Sequence, residues 1–184
     1  MKQVIQDVEA RMKKAVQNLE HEFSGLRTGR ASPALFDKIR VDAYGTPTPL
    51  SQVANISCPE ARLVVIQPWD KALMSDIEKA IQKSELSLNP SNDGKVIRIQ
   101  IPPLTEERRK EMVKLAKSIA ENNRVAIRNI RRDANDELKK QAKGGTISED
   151  EEKKGADEVQ KLTDRYTAEI DKVFKVKEKE ILEV

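Results

Sequence analysis

A single cysteine, Cys58, stands in a chain of 184 residues, so no internal disulfide can form and nothing ties the chain to an oxidising compartment. One histidine, His21, and one cysteine also leave no usual soft-ligand set for a metal. Aromatics are only 3% of the residues, which excludes a core built on stacked rings and leaves aliphatic packing. The longest unbroken aliphatic run, Leu63-Val64-Val65-Ile66, is far short of the ~20 residues that a membrane-spanning helix needs. The first residues, Met1 to Asp7, carry no apolar signal core. These absences describe a soluble, cytoplasmic protein with no membrane partner.

Proline is missing from both ends. All eight prolines lie between Pro33 and Pro103, and because proline costs about 3 kcal/mol inside a helix, long helices are allowed only outside that stretch. Charged residues are plentiful, 35% of the chain, and nearly balanced, with 34 basic against 31 acidic side chains. That mixture, with 38% hydrophobic residues, fits solvent-bathed helices joined by aliphatic stripes rather than a disordered polycation.

Three helical segments follow from periodicity. In the first, Ile5, Val8, Met12, Ala15, Leu19 and Phe23 recur at spacings of three and four, and the segment stops between Gly25 and Gly29. The second starts after Pro102-Pro103, with Thr105 as N-cap and Glu106 and Glu107 against the positive helix end. Its stripe is read as Met112, Leu115, Ile119, Ala126, Ile130, Ala134 and Leu138, and Gly144-Gly145 stops it. The third opens on a capping box, Ser148 with Glu151, and carries Leu162, Tyr166, Ile170, Val173 and Ile181. Three such helices hide their stripes most simply in an elongated antiparallel bundle.

The proline-bearing middle reads as a small α+β domain. Ile39, Val41 and Ala43 alternate with polar residues, Tyr44-Gly45-Thr46-Pro47 turns, and Leu63 to Ile66 is a short buried strand. Asp70 caps a helix carrying Leu73, Ile77 and Ile81, and Ile97, Ile99 and Ile101 alternate in a last strand. Trp69 is assigned to this domain's core, and Cys58 is read as a small buried filler. The fold class is therefore α+β: residues 1–29 with 105–184 form the bundle, and residues 31–103 an inserted β/α/β domain. The connections form hinges at Gly29, Arg30, Ala31 and Ser32 on entry, and at Pro102, Pro103, Leu104 and Thr105 on exit, where a tethered domain can pivot.

The second helix also carries a basic edge. With Arg124 set to zero on a helical wheel, Lys117, Arg128, Arg131, Arg132 and Lys139 fall within an arc of about 100°, with Lys110, Lys114 and Asn135 on the same face. The apolar stripe is read as about 140° away, and Glu121 is the chief acidic interruption. The lysines fit a solvated face with i,i+4 pairs as well as a binding face. The arginines, with only Asp133 as a nearby acid, point instead to a phosphate-backbone partner. No catalytic constellation accompanies them. His21 is read as a surface residue, no Gly-rich phosphate loop occurs, and neither a cofactor nor a metal is expected. The rival reading is a helical adaptor or RNA-binding scaffold.

Several motifs then resemble a known family. Arg27-Thr28-Gly29-Arg30-Ala31-Ser32-Pro33, Tyr44-Gly45-Thr46-Pro47-Thr48-Pro49-Leu50, Leu88-Asn89-Pro90, the stretch from Pro102 to Lys110, that from Val125 to Asp136 and Ile147-Ser148-Glu149-Asp150-Glu151 all look like the bacterial ribosome recycling factor. Ser87 stands where that family usually has glycine, and Gly144-Gly145 makes a looser turn than many members show. The resemblance implies an L-shaped outline like that of transfer RNA. It also implies a monomer that docks its bundle on large-subunit ribosomal RNA, near an intersubunit bridge of the post-termination ribosome. Elongation factor G, with GTP, would then drive it to split the subunits. The RNA-contacting residues carried over are Arg128, Arg131 and Arg132, with Arg27 and Arg30; Lys117 and Arg124 join them from the basic edge.

Overall fold

The computed structural model describes residues 1–183. The chain forms two compact units, Met1–Phe23 with Lys110–Leu182, and Ser24–Arg109.

The helical unit is built on α1 (Lys2–Ser24), α3 (Glu106–Lys143) and α4 (Glu149–Leu182); α2 belongs to the other unit. At 1.5 Å per residue, α3 is about 57 Å long. Its ends are where the sequence signals place them. The Thr105 hydroxyl accepts the Arg108 N–H at 3.2 Å. At the other end Gly145 takes a positive φ of 73° while Gly144 and Thr146 donate back to the last-turn carbonyls of Lys140 and Gln141. The capping box closes both ways: Ser148 N–H donates to Glu151 at 2.8 Å and Glu151 N–H to the Ser148 hydroxyl at 3.2 Å. Cross-links set the helix directions. On α1 and α3 the N-terminal amine of Met1 meets Gln141 while Arg11 meets Asp133, and on α3 and α4 Arg124 meets Asp171 while Arg131 meets Gln160, so α3 runs against both neighbours.

The seam of α3 differs from the stripe expected. Its buried residues are Ala116, Ala120, Asn123, Ile127, Ile130, Ala134 and Leu138, whereas Leu115 is 45% exposed. Bulk suggested Leu115 and Ile119, but small alanines take the closest approach because they let neighbouring helices come near. The centre of the true seam lies only about 75° from Arg124, not 140°. This rotation sets the geometry of the basic edge.

The second unit holds a two-stranded ribbon, β1 (Arg40–Ala43) with β2 (Thr46–Pro49), and a four-stranded antiparallel sheet. That sheet comprises β3 (Ala54–Glu60), β4 (Leu63–Pro68), β5 (Pro90–Asn92) and β6 (Ile97–Gln100), in the order β3-β4-β6-β5. Helix α2 (Met74–Lys83) presents Met74, Ile77 and Ile81 to a core shared with Val41, Leu50, Val64, Ile66, Ile97 and Ile99. Strands β2, β3 and β5 escape period-two reading: each contains proline and polar residues. Proline is tolerated in them because β2 lies in a two-stranded ribbon and β3 and β5 are the edges of the sheet.

Trp69 is not in the core; it is 68% exposed. Along β4 the inward positions are Val64, Ile66 and Pro68, so the next residue falls on the outward phase of the alternation. Cys58 is half-buried rather than enclosed, and burial pushes its thiol pKa up. His21 is exposed, as read.

Ser87 adopts a φ of +51°, a left-handed conformation that costs an L-residue about 1–2 kcal/mol and glycine almost nothing. Glycine gives back part of that through its larger unfolded-state entropy. Ser87→Gly is therefore expected to raise stability by up to about 1 kcal/mol, read from the urea midpoint; an unchanged or lower midpoint would show that the turn is not strained.

Candidate nucleic-acid interface

The rotated seam divides the arginines of α3 into two kinds. Arg124 and Arg131 sit nearest the seam and are half-buried on the side of α4, while Arg128 and Arg132 point outward with Lys117 and Lys139.

Arg124 is engaged inside the unit. Its side chain is 21% exposed, and it donates to Asp171 of α4 from Nε at 2.9 Å and from a terminal nitrogen at 2.6 Å. Its other terminal nitrogen donates to Glu121 at 3.2 Å. Burial by itself would lower a guanidinium pKa. Here the hydrogen bonds it donates to Asp171 and Glu121 outweigh it and hold Arg124 above its usual value. Arg124 is thus a clamp between α3 and α4, with little left to offer a phosphate.

Arg128 donates to the other oxygen of Glu121 at 2.9 Å. One carboxylate therefore bridges two arginines, and its hydrogen bonds from Arg128 and then Arg124 hold Glu121 below the usual carboxylate range. The expectation that the arginines are free of acidic partners accordingly fails for Arg124 and Arg128. Helix-local spacing hid it: Arg128 reaches seven residues back, and Asp171 comes from another helix.

Arg131 and Arg132 keep their charge available. Arg131 meets no carboxylate, only the amide oxygen of Gln160 at 3.5 Å, the outer limit for such a bond. Among the described residues Arg132 has no hydrogen-bond or ion-pair partner, nor do Lys117 and Lys139. The side-chain amide oxygen Oδ1 of Asn135, one turn beyond Arg131, is buried without a hydrogen-bond partner among the described residues. An exposed guanidinium on a stiff helix, with Lys139 about two turns beyond it and Lys117 about four turns before it, presents fixed positive charge to a phosphate backbone.

Arg27 and Arg30 lie elsewhere, in the other unit. Both are exposed and border a small pocket of about 70 Å³ that Leu35, Leu86, Leu88 and Ile101 also line. Nearby backbone is pinned: the Ala31 N–H donates to the Ala61 carbonyl at 2.7 Å, and the Ile101 N–H to that of Arg62 at 2.8 Å. The Ser32 hydroxyl caps the turn that follows it. No group of three or more His, Cys, Asp or Glu side chains among the described residues is placed to hold a metal, and none of their helices is long and apolar enough to cross a membrane.

Comparisons with known proteins agree with one another. The ribosome recycling factor family pattern matches residues 19–182. The ribosome-recycling factor of Treponema denticola is 63% identical over 183 residues, covering 100% of this chain and 99% of that protein. That of Brevibacillus brevis is 58% identical over 181 residues, covering 98% of each. A solution structure of the ribosome recycling factor superposes with a TM-score of 0.79 at 47% identity, covering 100% of this chain and 97% of the other. A T. thermophilus ribosome recycling factor, bound with E. coli elongation factor G to the E. coli post-termination complex, gives 0.69 at 49% identity and covers 98% of each chain. With a family pattern spanning residues 19–182 and relatives 58% and 63% identical along essentially the whole length, the chain belongs to the ribosome recycling factor family.

Proposed function

We propose that this chain is a translation factor that binds the post-termination ribosome and, with elongation factor G and GTP, separates it into subunits. Family membership supports the process. The observation that carries the mode of binding is the exposed, acid-free Arg132 on a helix about 57 Å long. Arg131, Arg132, Arg128, Lys117 and Lys139 form the gripping edge against large-subunit RNA, and Arg124 holds that edge to α4. Arg27 and Arg30 add phosphate contacts from the second unit. The chain makes and breaks no bond, and the free energy comes from the GTPase. It works as a cytoplasmic monomer.

The proposed hinge lies at the connections, at Gly29 to Ser32 and Pro102 to Thr105. Hydrogen bonds that tie Ala31 and Ile101 to the β3–β4 turn and let Thr105 cap α3 support Gly29, Arg30 and residues 102–104 as the part that would turn. A stiff helical unit fixed on RNA lets the partner drive the other unit without loosening the grip.

Mixing the protein with post-termination complexes tests this. Subunit dissociation is expected only when the protein, elongation factor G and GTP are all present. Binding to large subunits should weaken steeply with salt, with a log–log slope of about −0.7 to −0.9 per phosphate contact. Binding without splitting would select the scaffold reading instead, and a flat salt response would exclude the arginine edge.

A further inference from the structure

Glu121 is the carboxylate that meets two arginines of the edge, and the grip described above does not use it. Its two oxygens take separate arginines, Arg124 at 3.2 Å and Arg128 at 2.9 Å. The two bonds differ in what stands behind them. Arg124 keeps two further bonds to Asp171 if Glu121 lets go. Arg128 has Glu121 as its only carboxylate partner among the described residues, and a phosphate oxygen would seek the same guanidinium N–H groups.

We propose that Glu121 is an internal competitor for RNA phosphate: it holds the Arg128 guanidinium in the free protein and gives it up on docking, which keeps affinity below what the cations alone would provide. The geometry favours such an exchange. The pair spans seven residues, roughly 10 Å along the axis, so both long side chains must stretch to meet. Both are about half exposed, 47% for Arg128 and 52% for Glu121, and exposed pairs of this kind contribute little and are screened by salt. Leaving Glu121 therefore costs only a few-fold in affinity, which a phosphate can meet, and that cost is what the competition subtracts from the hold on RNA. A factor that must come off after each round needs a limit of this kind on its hold. The inference rests on the α3 edge being the RNA-binding surface.

The test uses the full chain, purified large ribosomal subunits and single-stranded poly(U), with helix content checked by circular dichroism. Glu121→Gln, which keeps the side-chain shape, is expected to tighten binding to both RNAs by about two- to fivefold at low salt. In an Arg128→Ala background the same change should give less than half of that gain. Unchanged or weaker binding of Glu121→Gln would overturn the proposal, weaker binding making Glu121 a positioning residue for Arg128. An equal gain in the Arg128→Ala background would also overturn it, leaving only a general field effect. If Arg132→Ala leaves both affinities intact, the edge itself is wrong, and that failure is separate from the other two.

Discussion

Replacing Arg132 by alanine will weaken binding to the large ribosomal subunit by about 1–3 kcal/mol, a loss of roughly 5- to 150-fold, with helix content and unfolding midpoint unchanged. The side chain is exposed and without a partner among the described residues, so its removal breaks nothing inside the protein and takes away one full positive charge from the edge. The salt slope should fall by about one contact's worth. Arg131→Ala belongs to the same class, since it gives up only a long bond to Gln160. Arg124→Ala is expected to divide the other way. It strands Asp171 and releases Glu121, so its effect falls first on the α3–α4 contact and on stability. Equilibrium titration of the three variants against large subunits, beside their urea transitions, reads both quantities. Equal affinity losses for Arg124 and Arg132 in folded protein would mean that the clamp assignment is wrong.

The largest expected loss of stability lies at the far end of the helical unit. Leu138 is fully buried, and Leu138→Ala should cost about 2–5 kcal/mol through lost transfer energy and the cavity left behind. Its neighbour across the seam is Gly155, in the interior of α4. A Cβ built on Gly155 would lie 3.0 and 3.1 Å from the two methyls of Leu138 and 3.4 Å from Cγ of Met1. Glycine has a helix penalty of about 1 kcal/mol relative to alanine, but an added Cβ would force the Leu138 methyls to give way by a few tenths of an ångström. Gly155→Ala is thus expected to bring no gain in the parent chain, as overpacking cancels the helix propensity. Once Leu138 has been cut back to alanine, the same change should stabilise by about 1 kcal/mol. A double-mutant cycle by chemical denaturation measures the coupling, expected at about 1–2 kcal/mol. Additivity of the two changes would show that Gly155 is not held by contact with Leu138.

Much of this molecule is legible in residue order. The positions of proline separate the helical segments from the sheet-bearing one, because a missing N–H and a fixed φ act at the residue itself. Thr105, the Ser148–Glu151 box and Gly145 mark helix ends by equally local means, and each makes the bond its spacing calls for. Alternation finds β1 and β6, where apolar residues recur every second position, and the unbroken aliphatic run Leu63 to Ile66 finds β4. Both miss β2, β3 and β5, whose pairing comes from neighbours distant in the chain. Trp69 was misplaced because bulk was taken for burial, when the phase of β4 turns it outward.

The candidate site divides along the same line. That basic residues of α3 gather on one edge is a consequence of 3.6 residues per turn and needs no coordinates. Which of them remain free does need them. The alanine seam rotates Arg124 toward α4, Asp171 meets it there from 47 positions away, and Glu121 reaches past one helical turn to Arg128. Local periodicity specifies which residues share a face. Only the packing of one helix on another, which depends on side-chain volume at the seam and on charges far away in the chain, decides which of those residues are occupied and which are left for a partner.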